Sequence, residues 1–407
     1  MLSRQLRGAR RVIGNTFLVV LSLAIGLVAL EAGARVFASV IAKRGKLFEL
    51  DPELGWRPLP NLDLVRRNAN GDTWHIMTDA AGIRGASAWS DDGRTRLLVL
   101  GDSFAFGEGV ELADRFDTLV QEHLPNLSVV NLGVMGYGPD QQLLRARPWL
   151  KTLRRGDALL LLTYRGNDFH DLARTRHGGR SKPWLEELDG RILEHEPAID
   201  VLDVLRDRSY VFTLVSRSLA RLGQSERTER RLETVGSLYR KWVLQHLEEL
   251  MSRGVLVVIA HHGNGVRELP FDVEAVFERT CAAVSGCLAL DPALAAHPRD
   301  EVFIEDGHWA AGGHRIAAER IAAYLRTLAG FGAGSDRPKR PEPIARDESA
   351  ALAPAGPCSG CKGAGSRWRP TVAPWNCSAR GSRGPRKPAK PLASSEGRAT
   401  CALRIRS

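Results

Sequence analysis

The sequence predicts an α/β domain built on a parallel sheet, with one apolar helix ahead of it. Three observations carry that prediction. The 19 consecutive residues from Val12 to Leu30 carry no charge. From Arg96 onward, wholly apolar runs alternate with amphipathic segments. From about Phe331 the chain changes to Pro, Gly, Ser and Arg, with almost no aliphatic periodicity.

The apolar stretch comes first. Its length approaches the roughly 20 residues that cross the hydrocarbon layer as a helix. Arg4, Arg7, Arg10 and Arg11 precede it, which keeps the N-terminus in the cytoplasm and sends the body out. Arg35, Lys43, Arg44 and Lys46 follow and soften that asymmetry. A cleaved signal peptide is the competing reading, but its apolar core usually runs to only about 7–15 residues. The expectation is a single-pass anchor, residues 1–34, with the body outside the cytoplasm in either case.

Residues 35–94 form a lead-in. "DPELGWRPLPNLDLVRRNANGDTWHIMTDAAGIRG" is rich in Pro, Gly and Asn, which predicts short strands and turns. The main domain spans 95–330. "RLLVLG", "LSVVNLG", "DALLLLTY", "VLVVIAHHG" and "CLALD" read as strands buried on both faces. Helices are predicted over Phe116–Leu124, Asp140–Leu153, Arg230–Arg253 and Ala311–Ala329. In the third, Leu232, Val235, Leu238, Val243, Leu247 and Leu250 recur at helical spacing. Such alternation places helices on both sides of a parallel sheet.

The formal charge of +10 belongs to the last stretch alone. Residues 331–407 hold 15 Lys and Arg against 5 Asp and Glu, and residues 1–330 hold 42 of each sign. The body is therefore neutral. The basic tail lacks interleaved aromatics, so nucleic acid is not the expected partner. With 10 of the chain's 21 prolines, the tail cannot bury enough surface to offset ordering entropy and reads as disordered. Cys281 and Cys287 either bridge or remain a reduced pair. Cys358 and Cys361 make a CxxC, but Cys377 and Cys401 are too scattered to complete a zinc site. Neither a metal nor a cofactor is called for.

Chemistry enters where the first strand stops. "RLLVLGDSFAFGEGV" ends its aliphatic run in Gly101-Asp102-Ser103. The triplet is a weak signal by itself, but ligands of doubly wound sheets bind beyond the carboxyl ends of strands. A serine hydroxyl needs a base to become a nucleophile. His308, in "FIEDGHWAAGGHRIAAERIAAYL", has an acid close at hand. Asp306 is suited to orient the imidazole and stabilise the imidazolium, with Glu305 in reserve. His261 and His262 are explained by a turn at a strand end, and His314 falls inside the closing helix, facing solvent or a neighbouring helix. Acyl transfer also needs donors for an oxyanion. "VVNLGVMGYG" offers backbone N–H groups at Gly133, Gly136 and Gly138, and "LLLLTYRGNDF" offers the Asn167 amide. Singly each is a turn. Together, four sheet-edge segments carry nucleophile, donor, donor and base.

That conjunction resembles the SGNH/GDSL hydrolase family. Its four blocks appear in order as "GDSF" with Ser103, "NLGVMGYG" with Gly136, "GND" with Asn167 and "DGHWAAGGH" with His308. The resemblance covers about residues 95–328, and "DPELGW" and "TDAAGIRG" look like the lead-in of membrane-anchored bacterial members. It implies a flavodoxin-like three-layer α/β/α sandwich and a serine acyl-enzyme mechanism. The implied oxyanion hole comprises the N–H groups of Ser103 and Gly136 and the Asn167 side chain. Most members place the triad aspartate three residues before histidine, where this chain has Glu305. Asp306 lies two before and is preferred for its shorter side chain. Asp102 and Asp168 are expected to brace loops. The functional expectation is an esterase acting on O-acyl groups of an envelope or exported glycan or lipid. The alternatives are a polysaccharide O-acyltransferase using the same residues, or a non-catalytic glycan-binding or scaffold protein. The segment from His170 to Gly223 is expected to shape the acceptor side.

Overall fold

The computed structural model describes residues 2–41, 45–86, 88–90, 92–220, 226–263, 269–329 and 331. The tail beyond Phe331, with its four cysteines, lies outside the described residues.

Five strands build the central sheet: β1 (Thr95–Leu100), β2 (Leu127–Asn131), β3 (Ala158–Tyr164), β4 (Leu256–His262) and β5 (Gly286–Ala289). They lie in the order β5-β4-β3-β1-β2 and every pairing is parallel. That is the doubly wound order, with its switch point between β1 and β3. All five predicted strands form, because a strand covered on both faces has no need of polar alternation.

The helices are α1 (Leu2–Val36), α2 (Phe116–His123), α3 (Pro139–Leu150), α4 (Asp168–Ala173), α5 (Val201–Arg208), α6 (Tyr210–Ala220), α7 (Glu226–Ser252), α8 (Val273–Cys281) and α9 (Ala311–Thr327), besides a few one-turn pieces. The side-chain alternation of the strands divides the core in two. Leu98 and Leu100 of β1, with Leu159 and Leu161 of β3, pack against α3, α4, α7 and α8. Leu97, Val99, Leu160 and Leu162 pack against α2 and α9. The predicted apolar stripe of α7 is buried from Val235 to Leu250, with Trp242 fully enclosed. Each such side chain contributes about 1.5–3 kcal/mol of transfer free energy. The result is an α/β/α sandwich.

Cys281, at the end of α8, is disulfide-bonded to Cys287 on the edge strand β5. Of the two readings the sequence left open, the bridge is the one formed.

The lead-in folds into two antiparallel hairpins, Phe48–Asp51 with Gly55–Pro58 and Asp63–Arg67 with Thr73–Met77. Arg84 fastens it to the main domain. Its buried guanidinium donates to the carbonyls of Phe106 (2.9 Å), Gly107 (2.8 Å), Val110 (2.7 Å) and His75 (2.9 Å). Burial, with Arg115 nearby, lowers the Arg84 pKa to about 9.

The first helix contains a stretch, Ile13–Val36, whose most apolar 18-residue window has a mean hydropathy of 2.3, long and apolar enough to cross a membrane or to serve as a signal sequence.

Candidate active site

The turn after β1 leaves no room for a side chain at residue 101. A Cβ on Gly101 would lie 2.7 Å from the Ala105 Cβ and 3.0 Å from the Leu162 carbonyl oxygen. Asp102 then caps the one-turn helix Ser103–Phe106, its Oδ1 accepting the Phe104 N–H at 2.9 Å. Ser103 is thereby held at the carboxyl edge of the sheet, beside the switch point.

His308 arrives from the opposite end of the chain, on the loop before α9. Its Nε2 lies 2.8 Å from Ser103 Oγ, across a sequence separation of 205 residues. Its Nδ1 lies 2.9 Å from Asp306 Oδ1, and the same oxygen accepts the His308 backbone N–H at 3.1 Å. A carboxylate at Nδ1 fixes the neutral ring as the Nδ1–H tautomer and leaves Nε2 as an acceptor facing the serine hydroxyl. Glu305 stands elsewhere: its backbone N–H donates to Asn70 Oδ1 at 2.8 Å and its side chain is exposed. The reserve position is not against the imidazole.

A second carboxylate reaches His308. Glu108, in the turn after the serine helix, places Oε2 3.4 Å from His308 Nε2. Burial presses the His308 pKa down, but the Asp306 bond and the charges of Glu108, Asp306 and Asp102 outweigh it, and the net shift is upward. Glu108 is itself raised by burial, against the opposing pull of His308 and Arg66. For Asp306 the His308 bond is the largest influence, and its pKa is lowered.

The donors converge on the same cleft, whose volume is about 340 Å³. Ser103, Gly136, Asn167 and His308 all line it. Gly136 has φ +78°, a left-handed conformation that favours glycine. Among the described residues no hydrogen bond takes up the N–H of Ser103 or of Gly136. The Asn167 Nδ2 donates to Asp102 Oδ2 at 3.2 Å, and an amide nitrogen has a second hydrogen to give. Asp168 accepts the Tyr164 N–H at 2.9 Å and sits near Gln142 Nε2 at 3.4 Å. Burial and the neighbouring charges of Asp102 and Asp171 push its pKa well up. Both aspartates act as braces inside their turns, as expected from sequence.

The segment after α4 supplies another wall. His177, Gly178, Arg180, Arg206 and Thr213 line the cleft. The His177 Nδ1 lies 2.9 Å from the buried carboxylate of Asp171, an arrangement that repeats the one at His308. Glu108 and His177 were not singled out in the sequence. "GEG" reads as a solvated turn and "RTRHGGR" as a basic loop, and the only available signal was proximity in sequence to the first and third blocks.

His261, His262 and His314 are enclosed. His262 does not cap a turn. It is buried among Phe104, Tyr164 and Trp309, with ring centroids 4.3, 4.9 and 4.5 Å away. Burial, with nearby positive groups, holds its pKa well below the ordinary value. His261 likewise stacks on Phe277 at 4.5 Å. His314 faces the neighbouring helix α2, accepting the Phe116 N–H at 3.3 Å, and burial lowers its pKa to about 3. Among the described residues no group of His, Cys, Asp and Glu is disposed to hold a metal ion.

No protein-family model and no curated protein matches the chain. Solved structures do. One is a member of the lipolytic protein G-D-S-L family from Veillonella parvula DSM 2008, at 13% identity and TM-score 0.36, covering 57% of this chain and 100% of that one. Another is a putative lipolytic protein of the same family from Desulfitobacterium hafniense DCB-2, at 13% identity and TM-score 0.33, covering 56% and 99%. A variant of Axe2, an acetyl-xylooligosaccharide esterase from Geobacillus, matches at 13% identity and TM-score 0.32, covering 61% and 97%. Likeness at these scores adds nothing to the chemistry, which rests on distances within this chain's own cleft. The fold is SGNH hydrolase-like: the strand order is the doubly wound one, and the four quoted blocks stand together at one sheet edge.

Proposed function

We propose that this chain is a serine esterase working outside the cytoplasm on O-acyl groups of an envelope glycan or lipid. The observation that carries the reading is the hydrogen-bonded row at the cleft, with Ser103 Oγ 2.8 Å from His308 Nε2 and His308 Nδ1 2.9 Å from Asp306. His308 Nε2 takes the hydroxyl proton as Ser103 Oγ bonds to the ester carbonyl carbon. Asp306 stabilises the imidazolium that forms. The negative charge on the former carbonyl oxygen is met by the Ser103 and Gly136 N–H groups and the Asn167 amide. His308 then hands its proton to the departing alkoxide, leaving an acyl-enzyme on Ser103. Water, deprotonated by His308, attacks that carbonyl and returns Ser103 with release of the acid.

The test is labelling of the purified protein with a fluorophosphonate probe, alongside turnover of an activated acetyl ester. The expected result is one label per chain at Ser103, with label and turnover both lost in Ser103→Ala. An unlabelled wild-type protein would leave only a binding module. Including a sugar as competing acceptor separates the chemistries: released acetate marks hydrolysis, acetylated sugar marks transfer.

A further inference from the structure

The end of α1 is locked to two helices that wall the cleft. Glu31 accepts the backbone N–H of Tyr210 at 2.7 Å, that of Val211 at 3.1 Å and the Ser209 hydroxyl at 2.9 Å, so it caps α6 from outside. Arg35, one turn on, pairs with Glu31 at 2.7 Å and donates to the Arg208 carbonyl. Lys46 reaches the Asp207 carbonyl at 2.7 Å and its carboxylate at 2.9 Å. The corner between α5 and α6 is therefore fixed to α1 by directional bonds on both sides.

These two helices both border the cleft and carry exposed aliphatics. Arg206 and Thr213 line the cleft. Leu202, one turn from Arg206 on the same side of α5, is 43% exposed. Val201 and Leu205 of α5 and Leu214 and Val215 of α6 are 69, 41, 51 and 53% exposed. A soluble surface seldom leaves such a group of aliphatics uncovered. From Ile13 onward the adjoining α1 carries exposed aliphatics as well, and Val36, with Phe37 and Val40 just after it, continues that apolar exposure past the joint, at 59, 57 and 61%. Exposed Arg208 stands at the same corner, as a cation does beside lipid phosphates.

One occupant covers all of this. A bilayer takes α1 into its hydrocarbon and receives an amphipathic pair at its surface. We infer that α5 and α6 lie in the surface of the bilayer that α1 enters, so that the cleft opens at that surface and receives an ester held in the leaflet. The seat stands on geometry alone; the word ester rests on the reading above.

The full chain, with Cys358, Cys361, Cys377 and Cys401 replaced by Ser, is reconstituted in phosphatidylcholine–phosphatidylglycerol vesicles. A polarity-sensitive fluorophore is attached at Leu205→Cys, at Val215→Cys, or at Glu319→Cys on α9. Nitroxide on a shallow acyl carbon should quench the first two at least about twofold more than the third, while aqueous iodide favours the third. Iodide quenching of the Leu205 and Val215 labels without lipid quenching overturns the seat. In the second arm, the triple variant Leu202→Ser, Leu205→Ser, Leu214→Ser should hydrolyse a vesicle-embedded acyl ester roughly tenfold more slowly. Its unchanged turnover of a soluble acetyl ester shows that it is folded. Equal turnover of the embedded ester by variant and parent overturns the leaflet substrate. Lipid quenching without turnover of either ester by the parent leaves the seat standing and removes the esterase.

Discussion

Asp102 and Asn167, 65 residues apart, are joined by a hydrogen bond of 3.2 Å from the amide to the carboxylate. The bond ties the turn after β1 to the turn after β3 across the switch point. Asp102 is wholly buried, and desolvation raises its pKa to about 6 against the pull of Phe104 N–H, His308 and Asn167. The second residue of the first block thus positions the donor of the third. Asn167→Ala should lower kcat roughly 10²–10³-fold with little change in KM, as for loss of one oxyanion donor. Steady-state kinetics with an activated acetyl ester give the answer, and an unchanged kcat would take Asn167 out of the mechanism.

Asp306, not Glu305, is the carboxylate at the imidazole. Asp306→Asn should lower kcat roughly 10²–10⁴-fold, since an amide no longer selects the Nδ1–H tautomer. Glu305→Gln should stay within about twofold of the parent, as a surface substitution does. Rates of the two variants on one substrate compare them directly; a larger loss in the Glu305 variant would reverse the assignment.

Glu108 holds a charge 3.4 Å from the base, and that charge helps raise the His308 pKa. His308 must be neutral to accept the serine proton, so kcat/KM falls as pH drops through its pKa. Removing the charge in Glu108→Gln lowers that pKa, and the acidic limb should move to lower pH. The pH–rate profile of kcat/KM reads this out. A limb that moves up, or stays in place, contradicts the role.

Among the described residues the Gly136 backbone N–H has no hydrogen-bond acceptor, and the Gly136 Cα is turned toward the second imidazole. A Cβ there would lie 2.8 Å from His177 Nε2, whose ring is pinned by Asp171 at 2.9 Å. Gly136→Ala should cost about 1–2 kcal/mol for the left-handed backbone. It should also lower kcat, because relief of the clash turns the N–H away from the cleft. Urea unfolding and kinetics on one preparation separate the two effects, and full activity at reduced stability would leave Gly136 with a structural role only.

The sheet was legible because fully buried strands leave unbroken apolar runs, as "DALLLLTY" does for β3. Ser103, Gly136, Asn167 and His308 were legible because each stands at the end of such a run or just before the closing helix. Glu108 was not. Its sequence neighbours are glycines, and its meaning comes from a residue 200 positions further on that only folding delivers. His177 was hidden in another way: its partner Asp171 is close in sequence, but its place against Gly136 in the cleft is delivered only by folding. His262 was misread as a turn cap because the rings of Phe104, Tyr164 and Trp309 that enclose it come from three other segments. Spacing reports local geometry well and long-range enclosure hardly at all.

The Arg84 clamp bears on how this protein can be cut. Three of the four carbonyls it holds, those of Phe106, Gly107 and Val110, belong to the loop that follows Ser103. A fragment started at Thr95 would leave those oxygens without their cation and strip the cover of Trp74 and Ile76 from Phe106, so the loop bearing Glu108 would lose the support it has from the lead-in. Whoever trims the chain for expression should keep the two small hairpins and the stretch through Arg84, since the rim of the cleft is finished from outside the sandwich that displays it.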